Sequence, residues 1–344
     1  MAQNTKPIIT ILGLGTTGSS LGLALQGAQA QAEIVGHDKL PEAAQAARRI
    51  NATHRLEWNL HAACSGSSLI VLAMPLNEAA ETLELIAEDL SPNTLVFILS
   101  DVLQPAADLL AKHAPGHTHA VVGHPILNGV GGALTPRADL FEKTVFVVAA
   151  GVSTDGAALE LASSFVESLG AKPLFMDPVE HDGVIAGVEQ LPQLLGLALV
   201  HMLAGSPGWF EAQRLAGRTF AQSTEPGRSP QHLFTALRAN RAYLWPRIEQ
   251  FEAELAAWKR WLMADPQDQS LAGQLFGAGA AGAEPQEAEH PLAAAIHDSS
   301  AERGRWEEQA QLGDWTAAPP PVAEAPASPG LLRQMFFGNL GKKK

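Results

Sequence analysis

Short, unbroken apolar runs recur along the first half of the chain, at 8–12, 33–37, 69–73, 95–99, 119–122 and 145–149. Helix-length segments at 19–28, 41–49, 77–88 and 104–113 separate most of them. An apolar run that does not alternate is a strand covered on both faces, and its alternation with helices predicts βαβ units on a parallel sheet. A helix over 155–169, closed by Gly170 as its cap, and a strand over 173–176 complete this α/β pattern at about residue 176.

The texture then changes. Segments 180–204, 208–216 and 229–262 read as helices with few strand signals, so an all-helical domain is expected over 177–265. The 180–204 segment is nearly apolar all round, which predicts burial or packing at an interface, with a kink at Pro192. Ser229-Pro230 opens the last helix as cap and first residue, and Leu233, Leu237, Tyr243, Leu244, Ile248, Phe251, Leu255 and Trp258 mark one face of it. Beyond Asp265 the chain is rich in Ala, Gly, Pro, Glu and Gln, and 266–344 reads as a low-complexity, disordered tail ending in LLRQMFFGNLGKKK. That ending suits docking on the protein, a partner or a membrane surface, or is idle.

The most informative stretch is the first. Strand residues Ile8 to Leu12 lead into Gly13-x-Gly15-x-x-Gly18, then a helix, then a second strand ending at Asp38, 20 residues after Gly18. In a Rossmann-type dinucleotide site the first glycine makes the turn, the second admits the pyrophosphate and the third lets helix and strand pack closely. The phosphates then face the helix N-terminus, where Thr16 and Thr17 stand. Asp38 can accept hydrogen bonds from a ribose 2′-OH, which favours NAD over NADP. The adjacent Lys39 weakens that preference, so NADP stays possible. The expected fold is a Rossmann-type, doubly wound dinucleotide-binding domain over 1–176 followed by the helical domain.

Composition narrows the function classes. A formal charge of −13 with no strong basic patch argues against nucleic acid as partner. No uninterrupted apolar run reaches the ~20 residues of a bilayer span, so no membrane span is expected. The amino terminus runs straight into a strand, so no signal peptide is expected. The single cysteine, Cys64, reads as small apolar filler and suits a reducing cytoplasm. The twelve histidines show no metal-ligand spacing, and no metal is predicted.

His124-Pro125 ends the run AVVG and opens the loop ILNGVGGALTPRADLF. A histidine at the carboxyl end of a parallel strand lies on the ligand side of a doubly wound sheet. With GLGTTGSSLGLAL (13–25), LAMPLNEAAETL (72–83), GHPI (123–126), ADLFEKTVFVV (138–148) and MDPVEHDGVIAGVEQLP (176–192), the chain resembles the prephenate/arogenate dehydrogenase family of tyrosine biosynthesis over about residues 7–262. The resemblance implies an NAD(P)-binding first domain, a helical dimerisation domain, a homodimer and a small-molecule substrate. It implies oxidative decarboxylation of prephenate or arogenate, with His124 as the catalytic group that polarises the ring hydroxyl and accepts its proton. Met74, Pro75 and Asp101 then join Gly13, Gly15, Thr16, Thr17, Gly18 and Asp38 as cofactor contacts.

The substrate half departs from the family's pattern. Where the family reads Asp-x-Gly-Ser-x-Lys, this chain has Asp101-Val102-Leu103-Gln104-Pro105, so Gln104 replaces the serine and the lysine is absent. The family's Ser-His-Leu-Pro-His is Glu189-Gln190-Leu191-Pro192-Gln193, which leaves Gln193 as a hydrogen-bonding but proton-neutral substrate contact. Arg218, with Arg228 second, is the candidate for a substrate carboxylate, because a guanidinium binds it in two places. His181 and Asp182 match the family's helix start and read first as a capping or interface pair. Two alternatives stay open: a related dehydrogenase acting on a hydroxy acid, and a non-catalytic NAD-binding sensor or scaffold.

Overall fold

In this computed structural model the described residues are 6–28, 31–127, 135–150, 154, 156–225, 227, 229–263 and 291–312. Compactness divides the chain into residues 1–245 and 246–344. The first unit therefore holds the sheet together with most of the expected helical domain. Hydrogen bonds from 177–245 back onto the sheet's helices, described below, account for that grouping.

Among the described residues, eight strands form one sheet in the order β3-β2-β1-β4-β5-β6-β7-β8. They are β1 (Ile8–Leu12), β2 (Glu33–His37), β3 (Arg55–Leu56), β4 (Leu69–Leu72), β5 (Leu95–Leu99), β6 (His119–Ile126), β7 (Val145–Ala150) and β8 (Lys172–Phe175). Helices α1 (Thr16–Gly27), α2 (Pro41–Arg49), α3 (Leu60–Cys64), α4 (Leu76–Ile86), α5 (Leu103–His113) and α6 (Gly156–Ser168) connect them. The order reverses at β1/β4, the switch point where ligands bind in open α/β sheets. Continuous apolar strands are covered on both faces, as their sequences demand. Phe97, Phe141, Phe146 and Phe165 fill one face, while Ile70, Leu72, Leu83, Ile98 and Leu103 fill the other.

One pairing corrects the all-parallel expectation. β6 and β7 run antiparallel, with His124 opposite Val147. Among the described residues no helix crosses between them. The buried Leu140 and Phe141 turn the chain beside the sheet instead, so β7 returns at the neighbouring edge. Residues 128–134 of that connection lie outside the described residues.

After β8 come α7 (Pro178–Ile185), a π-helical turn (Ala186–Gln190) and α8 (Leu191–Ala204) in one continuous run. Asp177 caps the start with its side chain on the Val179 and Glu180 amides. Pro192, where a kink was expected, follows directly on the π turn. That wider turn accommodates a residue that cannot donate a hydrogen bond. The run of 27 residues, Pro178–Ala204, holds an 18-residue window of mean hydropathy 1.5 and is long and apolar enough to cross a membrane by length and composition alone. A count of uninterrupted apolar residues does not register this, because Glu189 and Gln193 interrupt the apolar stretch without removing its high average.

Next come α9 (Trp209–Leu215), α10 (Arg218–Ser223), α11 (Pro230–Ala239) and α12 (Arg241–Leu262). The single helix expected over 229–262 is thus two. The break falls at Asn240, whose buried side chain donates to the Asp182 carbonyl and to Gln190 Oε1, and this tie draws the backbone out of helical register. In the second unit, α13 (Pro291–Leu312) lies inside the segment read as disordered. Its Ala-rich start and the Arg303–Glu307 and Arg305–Glu302 pairs are good helix chemistry that low complexity had masked. The rest of the expected tail, LLRQMFFGNLGKKK included, lies outside the described residues.

Candidate active site and nucleotide cleft

The β1–α1 loop is built as its glycines require. Gly13 has φ +91°, and a Cβ there would sit 2.5 Å from the Ala73 carbonyl oxygen. A Cβ on Gly18 would lie 1.9 Å from the Gly13 oxygen, so any side chain would force helix and strand apart. At Gly15, the N-cap of α1, a Cβ would meet nothing within 4 Å and would instead project into open space. No acidic side chain stands in the first turn of α1. That combination of a bare backbone and a helix N-terminus suits a pyrophosphate.

The loop opens on a cleft of about 840 Å³. Gly13, Gly15, Thr16, Thr17, Asp38, Met74 and Pro75, all expected cofactor contacts, line it. Gly18 sits behind them, under the loop. Asp38 also does structural work: Oδ2 accepts from the Leu14 amide at 2.7 Å and Oδ1 from the Leu40 amide at 2.8 Å. Its carboxylate thus ties the glycine loop to the end of β2, and spare lone pairs remain for a ribose. Glu225, Gly227, Ser229 and His232 close the far wall.

Behind the cleft lies a buried polar chain. His124, on β6, is 1% exposed, and its Nδ1 is 3.0 Å from Nε2 of His181 on α7. His181 Nδ1 is 2.8 Å from Asp182 Oδ1. Asp182, fully buried, also accepts from the Leu103 amide at 2.7 Å and the Gln104 amide at 3.0 Å, the first two residues of α5. The capping role expected of Asp182 is real, but the helix it caps is α5, 78 and more residues away in sequence, and not its own.

The chain of bonds dictates tautomers. An ionised Asp182 only accepts, so His181 Nδ1 carries a proton. In a neutral His181, Nε2 then accepts, and His124 Nδ1 must donate to it. His124 Nε2 is left as the basic nitrogen. Around that nitrogen stand Asp101 Oδ1 at 3.5 Å and Glu189 Oε2 at 3.7 Å. Asp101 Oδ2 is held 2.6 Å from His232 Nε2 on α11. His232 lines both the large cleft and a small adjoining cavity that Asp101 also lines, so the buried chain reaches the cleft through these two residues.

The remaining expected residues fare differently. Asp101, expected at the cofactor, stands between His124 and His232. Its short α5 loop and the Asp182 cap turn it inward. Gln104 does not face His124, because its side chain donates to Asp108 one turn along α5 at 2.7 Å, while its backbone amide serves Asp182. Gln193 touches the site through Glu189, with Nε2 3.4 Å from Oε1. Arg218 opens α10 exposed and outside the cleft lining, because α10 is a short surface helix with no buried residue. Arg228 lies outside the described residues. Sequence reasoning missed His232 and the bridging part of His181. Only Ser229-Pro230, which starts α11 and fixes His232 three residues past the cap, hinted at the former. Among the described residues, no group of three or more His, Cys, Asp or Glu is arranged to hold a metal ion.

The sequence model for the nucleotide-binding domain of prephenate dehydrogenase matches residues 21–174, and that for its dimerization domain matches 177–275. The chain belongs to the prephenate dehydrogenase family. The matched range begins after the glycine loop, whose assignment rests on the geometry above. Among relatives, the chain is 24% identical over 254 residues to the prephenate dehydrogenase of Bacillus subtilis (strain 168), covering 73% of this chain and 68% of that one. It is 26% identical over 255 residues to that of Lactococcus lactis subsp. cremoris (strain MG1363), covering 72% and 69%. The fold is shared with an Aquifex aeolicus prephenate dehydrogenase solved with hydroxyphenyl propionate and NAD+, at a TM-score of 0.73 and 19% identity, over 89% of this chain and 100% of that one. A Synechocystis arogenate dehydrogenase aligns at 0.65 and 20%, over 87% and 99%.

Proposed function

We propose that this chain is an NAD-dependent dehydrogenase that oxidatively decarboxylates prephenate or its amino counterpart arogenate. The observation that carries the reading is His124 Nε2, fixed as a base by the Asp182–His181 chain and linked through Asp101 and His232 to a dinucleotide-shaped cleft. A dinucleotide held along Gly13, Gly15, Thr16, Thr17 and Asp38 would supply the hydride acceptor for the ring carbon that bears the hydroxyl. His124 Nε2 accepts the hydroxyl proton as the carbon is oxidised. Asp101 and Glu189 stabilise the imidazolium so formed. Loss of CO2 then aromatises the ring, and His124 returns its proton to the phenolate oxygen. Hydride and CO2 leave, the proton is only lent, and a buried base with no route for a net proton suffices. Gln193, bonded to Glu189, and the α11 wall would orient the substrate.

A second reading rests on a specific observation. Two carboxylates stand within 4 Å of His124 Nε2, and Arg218 is exposed and outside the cleft lining. That field disfavours a dianion and favours a less charged hydroxy acid, or dinucleotide binding without turnover. Reduction of NAD and NADP with prephenate and with arogenate, measured side by side, decides. NADH formed with either acid supports the first reading. Dinucleotide binding with neither acid turned over supports the second.

We further propose a homodimer, supported by the dimerization-domain match and by the exposed apolar residues Val188, Leu197 and Met202 on the π turn and α8. A cytoplasmic setting fits the lone buried thiol, Cys64.

A further inference from the structure

At the ribose end of the cleft, charge separates the two dinucleotides, which differ only in a 2′-phosphate. Asp38 faces this end with both oxygens braced by backbone amides. Lys39 follows on the same loop and is the single Lys or Arg among the described residues lining the cleft. A lysine so placed would ordinarily serve a phosphate as a point charge. Here it is already engaged. Its Nζ lies 2.8 Å from Oε2 of Glu78, in the first turn of α4 on the opposite wall. A second acid, Glu81, lines the cleft on the same helix. The ammonium is held protonated above its ordinary range, first by the hydrogen bond to Glu78, against the opposing effect of burial, and then by the charges of Glu78, Glu81 and Asp38.

We propose that Glu78 is a second determinant of dinucleotide choice, acting by occupying Lys39 so that this cation is not available to a 2′-phosphate. The inference rests on the reading of this cleft as the dinucleotide site. Three acids, Asp38, Glu78 and Glu81, face one lysine, so a group carrying about two further negative charges enters a net negative field. Removal of Asp38 alone leaves Lys39 paired and also loosens the glycine loop at Leu14. It should therefore weaken NAD more than it admits NADP. Removal of Glu78 releases the cation without touching the loop.

The test is binding, read without turnover. The full-length wild type, Glu78→Gln, Lys39→Ala and the double variant are titrated with NADH and NADPH at low ionic strength, following nicotinamide fluorescence. Wild type should bind NADH more tightly. Glu78→Gln should move the affinity ratio roughly ten-fold toward NADPH, the scale of one charge-assisted hydrogen bond, with NADH affinity held within about three-fold as a control for folding. Lys39→Ala alone should move the ratio less than about two-fold, and in the double variant the gain should vanish. A ratio unmoved in Glu78→Gln, or a gain that survives loss of Lys39, overturns the proposal while leaving the cleft intact. Failure of wild type to bind either dinucleotide overturns the cleft reading itself and this inference with it.

Discussion

Both oxygens of Asp182 are committed, to two amides of α5 and to His181, and Asp182, His181 and Leu103 are buried. Its removal should therefore reach beyond catalysis. Asp182→Ala strands the Leu103 amide and His181 Nδ1 without acceptors and should cost about 2–4 kcal/mol in denaturant unfolding. A loss under about 1 kcal/mol would mean the cap is not formed in solution. His124→Asn removes the base while keeping a polar side chain. Turnover should fall by about 10²–10⁴ with NAD affinity nearly unchanged, because His124 does not line the nucleotide cleft. A drop of only a few-fold would displace His124 from the reaction. Cys64 supplies a probe of the same core. Burial, with a smaller contribution from Asp89, pushes its thiol up to about 12. The thiolate is then scarce at pH 8, and a disulfide reagent should react with it only after unfolding. Rapid labelling of the native chain would show that α3 opens readily.

At the scale of elements, burial and turn chemistry made the sheet legible. β1, β2 and β5 and helix α2 fall where apolar runs and helix-length segments put them, because each is a local pattern with a local stop. What escaped was decided at a distance. β3 is two residues long and exists by pairing with Val35 and Gly36. The antiparallel return of β7, the split at Asn240 and the helix capped by Asp182 all depend on partners dozens of residues away. The candidate site divides in the same way. The glycine loop and Asp38 form one continuous motif, whereas the place of His232 follows from how α11 packs, and Gln104 is drawn along its own helix by Asp108. Gly22 shows a constraint of this second kind in an otherwise ordinary helical position. A Cβ there would lie 1.9 Å from the Ala52 carbonyl oxygen, since α1 packs directly on the turn after α2. Gly22→Ala, favourable by helix propensity, should instead destabilise by about 1–3 kcal/mol, with a lower melting temperature as the readout. A rise in melting temperature would mean that α1 sits further from that turn than the structure has it.

For the molecule as a whole, the exposed apolar face of the long helical run is the feature its own fold leaves unexplained. Only 22% of the most apolar window in Pro178–Ala204 is buried, while the other face of the same run supplies His181, Asp182 and Gln190 to the polar core. A helix with one face fixed inside the subunit cannot turn its apolar side inward to escape water, so a second surface has to cover it. A second copy of the chain meets this need with a two-fold axis, which lets Leu197 and Met202 face their own counterparts or near neighbours. Sedimentation at micromolar concentration should show a dimer. Leu197→Asp combined with Met202→Asp places charges on residues that are 39% and 61% exposed within the subunit. Those changes should leave the melting temperature of the subunit nearly unaltered while shifting sedimentation toward the monomer. Because the same run holds His181 against His124, a dimer that braces it should also lose turnover on dissociation. Dinucleotide binding should persist, since the glycine loop and Asp38 lie on the sheet. A wild-type chain that stays monomeric at these concentrations, or a double variant that stays dimeric, would place the covering surface elsewhere.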